Sequence, residues 1–272
     1  MTLGQAFDRG SSRLDSPTGR ADAETLLRHV LGLSRAGFFL RLDTDLDGAA
    51  AETYLKLIDR LAGGEPLPYL TGHIEFYGLD FYVNSSVLIP RPETEIMVEK
   101  AIQIGQSYSS PIIADVGCGS GAVAVSLAKH LPQSKIIALD VSESALELAR
   151  RNTLRQRVNI ELIEGDLLEA AADCHFDIIC ANLPYVPTAE AKGNLFEPQL
   201  ALDGGRDGLD MIRGLVSQIA ARADKPEWLL LEFGTGQAAA VKSILDEHFP
   251  RSHTEILRDF VPLDRVSVTK LW

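Results

Sequence analysis

Apolar positions recur at helical spacing near the start of the chain and change to short unbroken runs after residue 110. In ADAETLLRHVLGL (21 to 33), Leu26, Leu27, Val30, Leu31 and Leu33 follow a 3.6-residue repeat, with Gly32 near the stop. AAAETYLKLIDRLAGG repeats the pattern through Tyr54, Leu55, Leu57, Ile58 and Leu61 before Gly63 and Gly64. The first 65 or so residues are therefore predicted to be helical. HIEFYGLDFYVN (73 to 84) carries two aromatic-rich runs around Gly78, which predicts a β-hairpin. In LIPRPETE (88 to 95) the two prolines delay any helix until Glu93 or Thr94, after which Ile96, Val98 and Ala101 continue one.

Beyond residue 110 the two periods alternate. PIIADVG, KIIALDV, VNIELIEGD, FDIICANLPY and WLLLEFG are predicted strands. AVAVSLAKHL, ESALELARRNTLRQ, MIRGLVSQIAARA and QAAAVKSILDEHF are predicted helices among them, and RVSVTKLW supplies a terminal strand. Regular alternation of this kind builds a doubly wound, mostly parallel α/β sheet. The predicted organisation is a helical domain over 1–72, a β-hairpin linker over 73–88, and an α/β domain over 89–272.

Composition narrows the function. Hydrophobic residues make up 46% and charged residues 24%, a normal globular balance. Lys plus Arg number 26 against 38 Asp plus Glu, for a formal charge of -12. That balance argues against a protein that grips a nucleic acid backbone, where affinity comes from cations neutralising phosphates. Cys118, Cys174 and Cys180 form no CxxC pair, so reduced, apolar, buried thiols in a cytoplasmic protein are expected. A basic leader followed by an apolar core is lacking, as is any apolar stretch of about 18 residues, so neither secretion nor membrane spanning is expected.

Three strand ends carry the chemistry. DVGCGSGAVAV (115 to 125) falls between the first strand and first helix of the α/β domain, where Gly117, Cys118, Gly119, Ser120 and Gly121 let the backbone approach a nucleotide-like ligand. Gly117, Gly119 and Ala122 also fit the dinucleotide fingerprint GxGxxA. Asp140 ends the second strand, and its carboxylate can accept both hydroxyls of a ribose, from either a nicotinamide dinucleotide or S-adenosylmethionine. Asp166, after the third strand, can accept from an adenine amino group or cap a helix, with Leu167 beside the ring. At the fourth strand end, Asn182 and the Leu183 carbonyl offer two acceptors to one planar NH2 group. Pro184 stiffens that turn and Tyr185 offers a packing face. The loop holds no strong base, metal cluster or nucleophile, and methyl transfer from a sulfonium needs none, because orientation alone removes roughly 7–11 kcal/mol of a barrier in favourable cases.

These motifs together resemble the release factor glutamine methyltransferases. Similar segments are EPLPYLTGHIEFYGLDFYVN, LIPRPETE, DVGCGSG, NLPY, EPQLALDGGRDGL and LEFGTGQ. The resemblance implies a Rossmann-like methyltransferase domain that binds S-adenosyl-L-methionine, releases S-adenosyl-L-homocysteine, and needs no metal. It implies that the helical part helps grip class 1 peptide chain release factors and that the acceptor is the glutamine amide of their Gly-Gly-Gln motif. Asn182 would orient that amide, with Leu183, Pro184 and Tyr185 completing the pocket. Arg91, Pro92, Glu93 and Thr94 match a family signature near the cofactor, although helix entry and domain packing explain them almost as well. A monomer without direct nucleic acid contact is expected.

One departure stands out. The family usually has Asn-Pro-Pro-Tyr, and here Leu183 replaces the first proline. Asn-Leu-Pro-Tyr also resembles the loop of ribosomal RNA adenine dimethylases, so the alternative is an amino-methyltransferase acting on adenine or a similar base. The acidic balance and the front third oppose that alternative. A nicotinamide-dependent oxidoreductase, supported only by GxGxxA and Asp140, leaves Asn182 to Tyr185 without a role, and a non-catalytic cofactor-binding module is opposed by the intact loop.

Overall fold

Thr2 opens the first helix, α1 (Leu3–Ser11), through a reciprocal capping box with Gln5. The computed structural model describes residues 1–272 and divides into two compact units, Met1–His73 and Ile74–Trp272. In the first, α2 (Gly19–Leu31) stops at Gly32, whose φ of 62° supplies the left-handed cap. α3 (Arg35–Phe39), α4 (Gly48–Ala62) and α5 (Leu67–Thr71) complete it. Asp47 caps α4 by accepting from the backbone of Ala49 and Ala50. Phe7, Leu26, Leu27, Phe38, Tyr54 and Ile58 form the centre of a separate apolar core. The sequence pattern predicted two of these five helices; α3 and α5, at five residues each, are too short to display a period.

β1 (His73–Phe76) and β2 (Leu79–Tyr82) form the predicted hairpin. Tyr77 and Gly78 both take positive φ, 52° and 70°, which gives a two-residue turn matched to the strand twist. A short 3₁₀ turn over Pro92–Thr94 then leads into α6 (Glu95–Gly105).

The α/β region follows as β3 (Ile112–Val116), α7 (Ala122–His130), β4 (Lys135–Asp140), α8 (Glu143–Gln156) and β5 (Glu161–Glu164). It continues through β6 (Ile178–Ala181), α9 (Thr188–Ala191), α10 (Asp210–Ala221), β7 (Trp228–Glu232), α11 (Ala238–His248), β8 (His253–Arg258) and β9 (Asp264–Lys270). The sheet order is β5-β4-β3-β6-β7-β9-β8. β3 to β7 are parallel, and β9 and β8 run antiparallel at one edge. This is the mostly parallel, doubly wound fold that the alternation predicted.

Both faces of the sheet are covered, as parallel strands require. Ile113 packs into one apolar cluster with Val98 of α6 and Leu127 of α7, while its neighbour Ala114 joins another with Leu215 of α10 and Leu245 of α11. β3 pairs with β4 on one side and β6 on the other, so strand order reverses there and a crevice opens at the carboxyl ends. β8 is absent from the sequence prediction. It is an edge strand whose residues are only partly buried, and HTEILR contains no unbroken apolar run. No helix is long and apolar enough to cross a membrane.

Candidate active site

A cavity of about 280 Å³ occupies that crevice. The glycine loop forms one wall, and it is fastened before any ligand arrives. Gly117 and Cys118 both donate to the Leu139 carbonyl, at 2.8 and 2.9 Å. Gly117, Gly119 and Gly121 all have positive φ, so residues with a Cβ would be strained there. A Cβ on Gly117 would come within 3.0 Å of Leu183 Cδ2, whereas one on Gly119 would project into open space within the cavity wall. Gly121 lies outside the cavity lining; it starts α7, and a Cβ there would come within 3.1 Å of Ala149 Cβ.

Asp140 is held by the same loop. Its Oδ2 accepts from Gly119 N–H at 2.8 Å and its Oδ1 from Ser142 N–H at 2.9 Å. Burial raises its pKa, and those backbone donors oppose the rise. Each oxygen keeps a lone pair for a further donor. Asp115 was missed as a candidate although it begins the DVGCGSG motif. It is buried, lines the cavity and accepts from Ala124 N–H at 2.9 Å, tying β3 to the first turn of α7. Burial pushes its pKa up to about 7. The Cys118 thiol is pushed up by burial and by the charges of Asp115 and Asp140, so it stays a neutral SH.

Asp166 and Leu167 also line the cavity. Leu167 holds φ at 53°, a costly conformation for a side-chain-bearing residue, in the turn after β5. Val141, an apolar side chain left half exposed at the end of β4, also lines the cavity and was missed. Its only sequence signal is its place after Asp140.

The fourth strand ends one residue before Asn182. Asn182 donates through Nδ2 to the Thr94 hydroxyl at 3.1 Å, while its Oδ1 and the Leu183 carbonyl accept no hydrogen bond from the protein. Asn182, Leu183, Pro184 and Thr94 line the cavity; Tyr185 does not. The Tyr185 hydroxyl instead donates to Glu232 Oε1 at 3.3 Å, and burial raises its pKa. The remaining predicted residues, Arg91, Pro92 and Glu93, also stand outside the lining, and Arg91 forms an ion pair with Glu197 at 2.6 Å. Glu197, buried in the EPQLALDGG segment, accepts from Ile89 N–H as well, so the two motifs are stapled together.

Backbone packing explains the glycines of that segment. A Cβ on Gly204 would come within 2.5 Å of the Pro184 carbonyl, and one on Gly208 within 2.1 Å of the Tyr185 carbonyl. Gln237 of GTGQ donates to the Tyr185 carbonyl at 3.0 Å and to the Asp207 carbonyl at 3.2 Å. The turn carrying Asn182 is thus clamped from two sides.

Known proteins resemble this chain along most of its length. The Methyltransferase small domain model matches residues 94–201, and the PrmC N-terminal domain model matches residues 5–72. A release factor glutamine methyltransferase of Moorella thermoacetica is 40% identical, with 97% of each chain covered. One from Burkholderia pseudomallei is 42% identical over 85% of each chain. The chain belongs to the release factor glutamine methyltransferase family. Among solved structures, the hMettl16 catalytic domain in complex with MAT2A 3'UTR hairpin 6 has a TM-score of 0.61 at 14% identity, covering 88% of this chain and 87% of that one. At that identity the likeness shows the methyltransferase fold alone.

Release factor glutamine methyltransferases, as a methyltransferase family of this fold, imply use of S-adenosylmethionine. The residues present fit that cofactor. Gly119 leaves open the space that a Cβ would fill, the buried carboxylate of Asp115 and the partly buried one of Asp140 suit cationic and hydroxyl groups, and Val141 and Leu167 supply apolar surface for a base.

Proposed function

We propose that this chain methylates the side-chain amide nitrogen of the glutamine in the Gly-Gly-Gln motif of class 1 peptide chain release factors, using S-adenosyl-L-methionine. The observation that carries this reading is the pair of unpaired acceptors, Asn182 Oδ1 and the Leu183 carbonyl, at the mouth of a cavity walled by the glycine loop. Two acceptors match the two N–H bonds of a primary amide.

In this reading Asp140 receives the ribose hydroxyls, Asp166 the adenine amino group, and Gly117 to Ser120 surround the methionine portion, with Gly121 starting the helix behind them. The cofactor, when bound, supplies an electrophilic methyl group. Asn182 and Leu183 hold the glutamine amide so that its nitrogen faces that group, and Pro184 keeps their turn rigid. Accepting both N–H hydrogen bonds also leaves more electron density on the nitrogen, which makes it a better nucleophile. Tyr185 acts from behind, fixing the turn through Glu232. Arg91 to Thr94 brace the same wall.

Residues 1–72 form the part assigned to holding the release factor, with 73–88 linking it to the catalytic part, 89–272. Phe39 and Leu40, both exposed on the first unit, are suited to such a contact. The protein acts as a monomer in the cytoplasm, where its substrate works, without a nucleic acid partner.

The experiment is mass spectrometry of a purified release factor after incubation with this protein and S-adenosylmethionine. A methyl group on the glutamine of the Gly-Gly-Gln peptide is the expected result. An unmodified glutamine beside methylated adenine in added RNA would transfer the assignment to the nucleic acid reading.

A further inference from the structure

Behind Asn182 lies a buried carboxylate that the proposed chemistry does not use. Glu232, the last residue of β7, is 1% exposed. Its Oε1 accepts from the Tyr185 hydroxyl, and its Oε2 has no partner in hydrogen-bonding geometry. Thr94, 4% exposed, adjoins this carboxylate and also touches Asn182.

A hydroxyl has one proton to give. An ionised carboxylate accepts only, so the neighbouring Glu232, although out of hydrogen-bonding geometry with Thr94, favours a Thr94 proton turned toward itself. Thr94 then presents lone pairs to Asn182, which can satisfy them only with Nδ2. That leaves Oδ1 directed at the cavity. The alternative flip would set the Asn182 carbonyl against those lone pairs and present NH2 to the substrate.

We infer that Thr94, oriented by Glu232, is a positioning residue that fixes the flip of the Asn182 amide and thereby makes the site select a glutamine amide over a glutamate carboxylate. This rests on the glutamine reading above. The selection is one of polarity: Oδ1 repels a carboxylate, whereas a flipped NH2 attracts one. Thr94 is thus a specificity determinant through Asn182, and a hydroxyl-free residue of the same shape removes the preference without emptying the core.

Ionisation of Glu232 has a consequence for pH. The groups around the carboxylate are Thr94, Tyr185, Glu93 and Arg265. Burial pushes its pKa up to about 7, with the Thr94 and Tyr185 hydroxyls and Arg265 opposing the rise and Glu93 adding to it. Protonated, Glu232 can donate to Thr94, which frees the Thr94 proton for Asn182 Oδ1 and favours the wrong flip.

The test uses the full-length protein saturated with S-adenosylhomocysteine and two peptides that differ only in Gly-Gly-Gln against Gly-Gly-Glu. Calorimetry at about pH 8.5, well above the Glu232 transition, gives the ratio of their affinities. Wild type favours the glutamine peptide. Thr94→Val lowers the ratio about tenfold or more, the scale of one hydrogen bond reversed. Thr94→Ser, which keeps the hydroxyl, restores it, and both variants melt as folded proteins. Lowering the pH to about 6, where the glutamate peptide remains charged, reduces the wild-type ratio and leaves that of Thr94→Val flat. An unchanged ratio in Thr94→Val overturns the positioning role while the glutamine reading stands. A wild type that prefers neither peptide overturns the glutamine reading, and the relay with it.

Discussion

Gly119 donates its backbone N–H to Asp140 Oδ2 at 2.8 Å, so the cofactor loop and the proposed ribose acceptor are one hydrogen-bonded unit. The carboxylate therefore has two tasks, holding the loop and receiving hydroxyls. Asp140→Ala removes both, and S-adenosylmethionine affinity should fall by about 1–3 kcal/mol, the scale for losing charge-assisted hydrogen bonds. Titration calorimetry reads this directly. Wild-type affinity in the variant would remove Asp140 from the cofactor site.

Asn182→Ala should separate binding from turnover. Asn182 contributes its side chain to the acceptor pair and none of it to fastening the glycine loop. Cofactor affinity should stay nearly constant, while kcat on the release factor drops by about 10²–10³, as when a preorganised polar group is removed from other active sites. Stopped assays with labelled cofactor measure kcat, and equal turnover would contradict the assigned role.

How far the sequence disclosed this site depends on the range of each interaction. The loop Gly117–Gly121, Asp140 and Asn182 were legible because each follows a strand whose apolar run is continuous. Their chemistry sits at a fixed distance from that signal. Thr94 meets Asn182, and Glu232 meets Tyr185, from positions distant in the chain, and no local period reports those meetings. Asp115 was overlooked for a different reason: an acid inside an apolar run reads as part of the strand, and its helix-tying bond to Ala124 exists only once α7 packs on β3. The roles of Gly204 and Gly208 were likewise hidden, since backbone approach to Pro184 and Tyr185 is a tertiary event. Tyr185 was read as a pocket face because an aromatic ring at a strand end suggests stacking. In the structure its hydroxyl turns to Glu232 and the ring stands outside the cavity lining.

Asp115 makes a pH prediction with a definite sign. Its folded pKa of about 7 exceeds the ordinary 3.8, so folding favours the protonated acid. The stability it contributes is complete below about pH 4 and is lost as pH rises to 7. Asp115→Asn keeps an acceptor for Ala124 N–H and removes the titration. In the ligand-free protein the variant should gain about 2–3 kcal/mol relative to wild type between about pH 5 and pH 8. Denaturant melts at the two pH values measure the difference. A constant difference would mean that the Asp115 carboxyl titrates near its ordinary value.

Leu183 is the position where the chain leaves the family wording, and the structure separates what its side chain does from what its backbone does. The side chain is buried, 4% exposed, and lies against Gly117 beneath the glycine loop. The carbonyl, by contrast, has no partner in the protein, and the Leu183 N–H enters no backbone hydrogen bond outside regular structure. Leu183→Ala should therefore cost about 2–5 kcal/mol of stability as a core truncation, with kcat reduced far less than in Asn182→Ala. Leu183→Pro loses no backbone hydrogen bond and keeps the carbonyl, so its turnover should stay within a few-fold of wild type while its melting temperature falls with the lost apolar burial. If Leu183→Pro folds and binds cofactor yet loses turnover as completely as Asn182→Ala, the leucine side chain is setting the acceptor geometry, and the carbonyl alone does not explain activity.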